Sequence, residues 1–347
     1  MKTPEPNALL KLYDRLSALI EKLPGGLQKP ILRELTPIRE LFLEQRAPRL
    51  MLSGGSTQSA PSLLAAMGAS NIHCGESEQG WRSYQGGLSG ATAKILDARN
   101  DAPDAHWEAG VAAGRPDIAL FLQDEDMPEA EWQKSIQRAG SSGAPVIALS
   151  STAESARKLG ERLDMASELR GRIRAVCSLD DPAFLEILCA ALPAPAQLEF
   201  ARLTNARKAQ AFIASSLLKS FSAVCGVIGL QPIPLADLPV LATLQSLMVG
   251  MIIHTTGRPV TLKLVGEFLS ALGLSVGAGF IFREAARVAV RIVPFWGNAV
   301  SGFVAGAGTY AIGRAAIAYF VDDSPIQETR RIFLSMLPKS RSTTKLP

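Results

Sequence analysis

The stretch RLMLSGGSTQSAPSLLAAM, residues Arg49 to Met67, decides how the rest of the chain is read. A short apolar run, Leu50-Met51-Leu52, meets a Gly/Ser-rich loop from Gly54 to Ser59. The loop runs directly into a helical pattern of Leu63, Leu64, Ala66 and Met67. In that order the three segments spell strand, tight turn and helix. The alternation continues to Pro193. Ala93-Lys94-Ile95-Leu96 reads as a strand ending at Asp97, Asp117 to Leu122 as another, Pro145 to Leu149 as a third and Ile173 to Cys177 as the last. A weaker strand falls near Asn71-Ile72, a Gly-rich stretch runs from Gly80 to Gly90, and helices are expected around Glu129 to Arg138 and from Pro182 to Leu192. Strands alternating with helices predict an α/β domain over residues 49–193, a mostly parallel sheet with helices on both faces.

The first turn invites comparison with the phosphate loop G-x-x-x-x-G-K-[ST], where backbone N–H groups cradle phosphates, Lys neutralises them and a hydroxyl holds Mg²⁺. With Ser62-Leu63-Leu64 set at the helix start, Gly54 takes the first glycine, Ser59 the second, Ala60 the lysine and Pro61 the hydroxyl residue. Ala60 offers no cation, Pro61 neither hydroxyl nor N–H, and Ser59 adds a side chain where a phosphate would approach. Each charge-assisted contact is worth roughly 1.5–3 kcal/mol, so losing cation and metal ligand together weakens triphosphate binding by orders of magnitude. Gly54, Gly55, Ser56 and Thr57 still offer backbone N–H groups and hydroxyls. They are the anion nest of an alternative reading, in which a weakened GTP or GDP site with Mg²⁺ survives.

Composition narrows the classes. The chain has 347 residues, enough for two domains, and is 47% hydrophobic with 20% charged and 6% aromatic residues. A mean hydropathy of +0.16 is high, and Ala, Leu, Val, Ile and Gly supply it. A net charge of +4 without a basic-aromatic run argues against nucleic acid. The cysteines Cys74, Cys177, Cys189 and Cys225 are far apart, which suggests neither a zinc site nor a disulfide framework and fits a reducing compartment. Three scattered histidines, His73, His106 and His254, point to no metal cluster, and Gly86-Gly87-Leu88-Ser89-Gly90 does not fit the nucleophile elbow G-x-S-x-G. No catalytic residue is assigned. The opening MKTPEPNALLKLYDRL lacks the features of a signal peptide.

Before the α/β segment, residues 1–48 form a helical extension. Leu9, Leu12, Leu16, Leu19, Ile20 and Leu23 set one helix, ended by Pro24-Gly25-Gly26, and a second begins near Pro30 with Pro37 as a kink. The pair is expected to pack on the chain's own domain. Beyond it, Pro193-Ala194-Pro195-Ala196 reads as a linker, followed by a helix from Gln197 to about Ser222 and an all-α apolar domain over residues 194–335. Leu235 to Ile253, Leu262 to Phe282 and Ile292 to Val321 each approach or exceed the roughly 18–20 residues that cross a bilayer, although a helix buried in a bundle reads the same way. Gly273-x-x-x-Gly277 and Gly302-x-x-x-Gly306 are small-residue stripes for close helix approach. Arg283, Arg287 and Arg291 recur every fourth residue, a cationic face suited to anionic lipid or to ion pairs with acids such as Glu284. Residues 336–347 read as a disordered basic tail.

The α/β segment resembles an Era-like GTPase domain with eroded signatures. Asp97-Ala98-Arg99-Asn100 falls where that family has D-x-x-G, so Asp97 matches the Mg²⁺-side aspartate and Asn100 replaces the glycine that senses the γ-phosphate. Ser150-Ser151-Thr152-Ala153 falls where the family has N-K-x-D, with Ala153 in place of the aspartate that pairs with guanine. Cys177-Ser178-Leu179 is a loose match to the S-A motif. The block Ile228 to Phe320, with IGLQPIPLADLPVLATLQ and VPFWGNAVSGFVAGAGTYAIGRAAIAYF, is similar to the uncharacterised helical domain attached to some bacterial Era-like GTPases. The resemblance implies a P-loop GTPase-like sheet, association with the cytoplasmic face of the inner membrane, and a scaffold or regulatory role without catalysis. Membrane lipid and a protein partner or second copy are the implied partners. A soluble two-domain oligomer with buried apolar helices is the rival.

Overall fold

The computed structural model describes residues 7–337 except the segments 22–24, 56–58, 88–89, 100–103, 124–126, 165–168, 231–236 and 275–297 and the positions 170 and 182. Ser56, Thr57, Asn100, Gly277, Arg283, Arg287, Arg291 and residues 338–347 of the expected tail lie outside the described residues, while Met336, expected in that tail, ends a helix. The chain divides into two compact units, residues 40–212 and residues 1–39 with 213–347.

The first unit is an α/β domain. β1 (Arg49–Gly54) leads into α3 (Ala60–Ala66), then β2 (His73–Glu78), β3 (Trp81–Gly86), β4 (Ala91–Asp97) and α4 (Asp104–Ala113). β5 (Ile118–Leu122), α5 (Glu129–Ser141), β6 (Val146–Ser150), α6 (Ala153–Asp164), β7 (Ile173–Ser178), α7 (Phe184–Ala191) and α8 (Ala194–Thr204) follow. One seven-stranded sheet has the order β2-β3-β4-β1-β5-β6-β7. The five strands from β4 to β7 in that order pair in parallel, while β2 and β3 pair antiparallel at one edge. The strands expected at Leu50, Ala93, Asp117, Pro145 and Ile173 are therefore present. The Gly-rich stretch supplies β3, and the weak strand near Asn71-Ile72 begins at His73.

Both sheet faces are buried, as parallel strands require. Met51, Leu96, Phe121 and Ala148 point to one face and pack with Trp107 of α4, Trp132 and Ile136 of α5 and Leu159 of α6. Phe121 and Trp132 meet edge to face at 6.3 Å, and the Trp81 indole donates to the Gly110 carbonyl at 2.7 Å. On the opposite face Leu52, Ile95, Leu120 and Leu149 are buried as well, with α8 packed on β3 and β4 and α7 on β7. Pro193 to Ala196, expected as a linker, instead opens α8: Pro193 is its N-cap, Pro195 sits in the first turn, and Ala196, Leu198 and Phe200 are fully buried. Proline in a first turn favours a helix start, because its missing N–H is unneeded there. The single helix expected from Gln197 is broken at Asn205, whose φ of 47° is left-handed, and resumes as α9 (Arg207–Gly229).

The second unit is helical. It contains α1 (Asn7–Ile20), most of α2 (Gly25–Leu43), most of α9, α10 (Asp237–Thr255), α11 (Leu262–Ala271), α12 (Asn298–Phe320) and α13 (Ile326–Met336). α1 buries Leu12, Leu16 and Ile20 and packs on α10, where Gly250 lets Leu9 approach. The Gly302 and Gly306 stripe of α12 crosses α9 at Gly226: a Cβ at Gly302 would lie 2.8 Å from the Gly226 oxygen, and one at Gly306 3.5 Å from the Gly226 Cα. The stretch expected to run helically from Leu262 ends its helix at Ala271, with Gly273 at φ +92°. Among the described residues one helix is long and apolar enough to cross a membrane, α9, and 44% of its apolar window is buried. It is not one of the three stretches singled out by composition, and a core helix of a soluble bundle meets the same criterion.

Candidate functional site

In an open α/β sheet, ligands gather at the carboxyl ends of the strands where the strand order reverses. Here that point lies between β1 and β5, because the chain fills β4 on one side of β1 and then crosses to β5 on the other. The residues placed there by the topology are Gly54, Gly55 and Gln123, with Asp97 one strand away and Ser150, Ser151 and Ala153 further along the edge.

The loop after β1 is closed at its base. Gly54 has φ +103°, and a Cβ there would overlap the Leu122 carbonyl, lying 2.8 Å from the Leu122 C and N. The Gly55 N–H, a cradle donor in a phosphate loop, instead donates to the Leu122 oxygen at 3.1 Å. The Met127 thioether methyl packs over Gly55 where a Cβ would stand. At the start of α3 the same economy holds. Pro61 has no N–H, Ser62 N–H donates to Ser59 Oγ at 3.2 Å, and Leu63 N–H donates to the Ser59 carbonyl at 2.9 Å. Ala60, aligned by the resemblance with the phosphate-loop lysine, is buried. Ser59 therefore acts as an N-cap, satisfying the donors that a phosphate would otherwise take.

Asp97, which the resemblance aligns with the Mg²⁺-side carboxylate, is already engaged. Arg99 Nε donates to one oxygen at 2.8 Å and Nη2 to the other at 2.7 Å, and the Arg99 backbone N–H adds a third bond at 3.2 Å. The guanidinium is nearly buried while the carboxylate is about half exposed. A planar fork bonded to both oxygens supplies the positive charge that a bound divalent cation would otherwise bring to this carboxylate. Arg99 was given no role by the sequence alone; a cation two residues beyond the aspartate was the available signal. Replacing Arg99 with alanine is expected to cost about 1 kcal/mol, discounted for the exposure of Asp97, with lysine restoring only part. Chemical denaturation of both variants checks it.

The residues that the resemblance aligns with the base-specificity motif are likewise held by local bonds. Ser150 Oγ donates to the Thr152 carbonyl at 2.9 Å, and Ser178 Oγ donates to the Ser151 carbonyl at 3.2 Å. Thr152 Oγ1 caps α6 by accepting the Ser155 N–H at 3.1 Å. Ala153 is exposed at the first turn of α6 and borders a cleft of about 700 Å³, lined also by Arg157, Cys177, Ser178 and Asp181. Arg157 is paired with Glu161 at 2.9 Å, and burial, helped by Asp181, pushes the Cys177 thiol above its ordinary range. Cys189 on α7 is raised by burial to about 12, which leaves it protonated and unreactive. Among the described residues no group of three or more His, Cys, Asp or Glu could hold a metal ion.

Thus the structure brings Gly54, Gly55, Asp97 and Ser150 to the carboxyl edge of the sheet, where the Gly55 N–H and the Ser150 hydroxyl bond the backbone and Asp97 pairs with Arg99. Compared with known proteins, the chain matches no family model and no curated protein sequence.

Proposed function

We propose that this protein is a membrane-associated, GTPase-like scaffold whose nucleotide site is filled by its own side chains. The observation that carries the reading is the Arg99 guanidinium on Asp97, at the carboxyl end of β4. The sheet supports the same reading: five parallel strands beside an antiparallel edge make a mostly parallel sheet, as the resemblance to Era-like GTPase domains implies. With Ala60 and Pro61 at the lysine and hydroxyl positions and Ala153 at the base aspartate, neither phosphate nor guanine has a charged partner. A domain of this kind acts through its surface. It holds a protein partner, a second copy or an active relative, while the apolar helical unit associates with membrane lipid at the cytoplasmic face.

Membrane fractionation at high salt and then at alkaline pH tests the location. Release by salt alone is expected for peripheral attachment through cations, and retention after both treatments for insertion of a helix such as α9. A fully soluble, monodisperse protein obtained without detergent would contradict the membrane reading and favour apolar helices buried against one another.

A further inference from the structure

The helical unit carries a cleft of about 380 Å³ between α2 and α9, lined by Lys29, Ile31, Arg33 and Glu34 of α2 and by Val224 and Val227 of α9, among others. Its floor is apolar: Ile31 and Val224 are each 1% exposed. Its rim carries two exposed cations, Lys29 and Arg33, and one acid, Glu34. Lys29 and Arg33 are four residues apart on one stripe of α2, and Lys219 lies on the α9 stripe that continues through Ala223 and Val227. Among the described residues no ion pair engages Lys29, Arg33 or Lys219, and Glu34 is the acid that lines the cleft. Beside these cations Leu32 stands 48% exposed, a large apolar side chain flanked by Lys29 and Arg33.

We propose that this cleft seats one anionic bilayer lipid, its phosphate between Lys29 and Arg33 and an acyl chain along Ile31, Val224 and Val227. Exposed cations ringing an apolar surface are the arrangement of an interfacial helix, in which the apolar side enters the acyl boundary and the charges meet headgroups. The volume lies at the small end of ligand clefts, which suits a single chain. Leu32 enters the same boundary beside the seated lipid. The assignment rests on the membrane association proposed above and adds the place where it occurs.

Flotation of the full-length protein with phosphatidylcholine vesicles, and with vesicles that also contain phosphatidylglycerol, tests it. The wild type is expected to float with the anionic vesicles only. The double variant Lys29→Ala/Arg33→Ala should bind about 25-fold more weakly, from roughly fivefold per cation. Val227→Asn should weaken the binding that remains in high salt, and Lys134→Ala, an exposed cation of the other unit, should change nothing. Lys29 and Arg33 are exposed, so the double variant keeps its fold. If the wild type binds and the double variant binds equally well, the membrane reading stands and the cleft assignment is overturned. Displacement by millimolar inorganic phosphate would make this a free-anion site and would also overturn it. A wild type that floats with neither vesicle overturns both.

Discussion

Replacing Gly54 with alanine is expected to abolish folding of the α/β unit. Two independent constraints act on this residue. Its φ of +103° lies where L side chains are strained, and the space a Cβ needs is taken by the backbone of Leu122 at the end of β5. Backbone atoms cannot rotate aside, so relief requires separating β1 from β5 at the centre of the sheet, where Ser53 pairs with Phe121 and Gly54 with Leu122. That separation would expose the most buried strands of the domain. The loss should exceed about 4 kcal/mol, in the range reserved for strained or overpacked sites, and many domains do not survive it. Denaturant unfolding followed by tryptophan fluorescence reads the change, since Trp81, Trp107 and Trp132 lie in the core beside this region. A shift below about 1 kcal/mol would mean that the contact with Leu122 is not there.

Replacing Gly302 with leucine is expected to have the second largest effect, on the helical unit. The α9 row Leu218, Ser222, Gly226 and Leu230 meets the α12 row Gly302, Gly306 and Gly313. A Cβ at Gly302 would lie 2.8 Å from the Gly226 oxygen and against the Leu230 side chain, and one at Gly313 would run into Leu218. Leu230 can move, but the Gly226 carbonyl cannot move without disturbing α9. A leucine therefore pushes the helices apart along the whole row, beyond the roughly 1–3 kcal/mol of ordinary overpacking. Gly308, with open space around its Cβ position, is the internal control: Gly308→Ala should leave stability unchanged or slightly raised, since alanine favours helix over glycine by about 1 kcal/mol. Thermal unfolding of both variants distinguishes a close helix crossing from a loose one.

These two glycines also mark how far the sequence could be read. The loop at Gly54 was legible because an apolar strand, a Gly/Ser turn and a capped helix follow one another within nineteen residues, Arg49 to Met67. That Gly54 meets Leu122 was not legible, because the contact depends on which strand lies beside β1. The small-residue stripe of α12 was visible by spacing, whereas its partner on α9, Ser222-x-x-x-Gly226, was not singled out because a single small pair does not say which helix it faces. β2 was misplaced by two residues because every residue from His73 to Glu78 is exposed, so no apolar alternation marks it, and pairing with β3 alone holds it. The break between α8 and α9 was invisible because apolar periodicity runs through Asn205, and only its left-handed backbone ends the helix. Arg99 lay in plain view beside Asp97, but its role required the turn that folds the guanidinium back onto the carboxylate.

The central claim is that the phosphate and metal positions are closed by Ser59, Ala60, Pro61 and Arg99. Isothermal calorimetry with GTP, GDP and ATP in the presence of Mg²⁺ tests it most directly. No binding of micromolar or tighter affinity is expected for any of the three, and GTP should be turned over no faster than background. Micromolar binding that disappears on changing Thr57 or Asp97 would contradict the account and place a working nucleotide site at the end of β1.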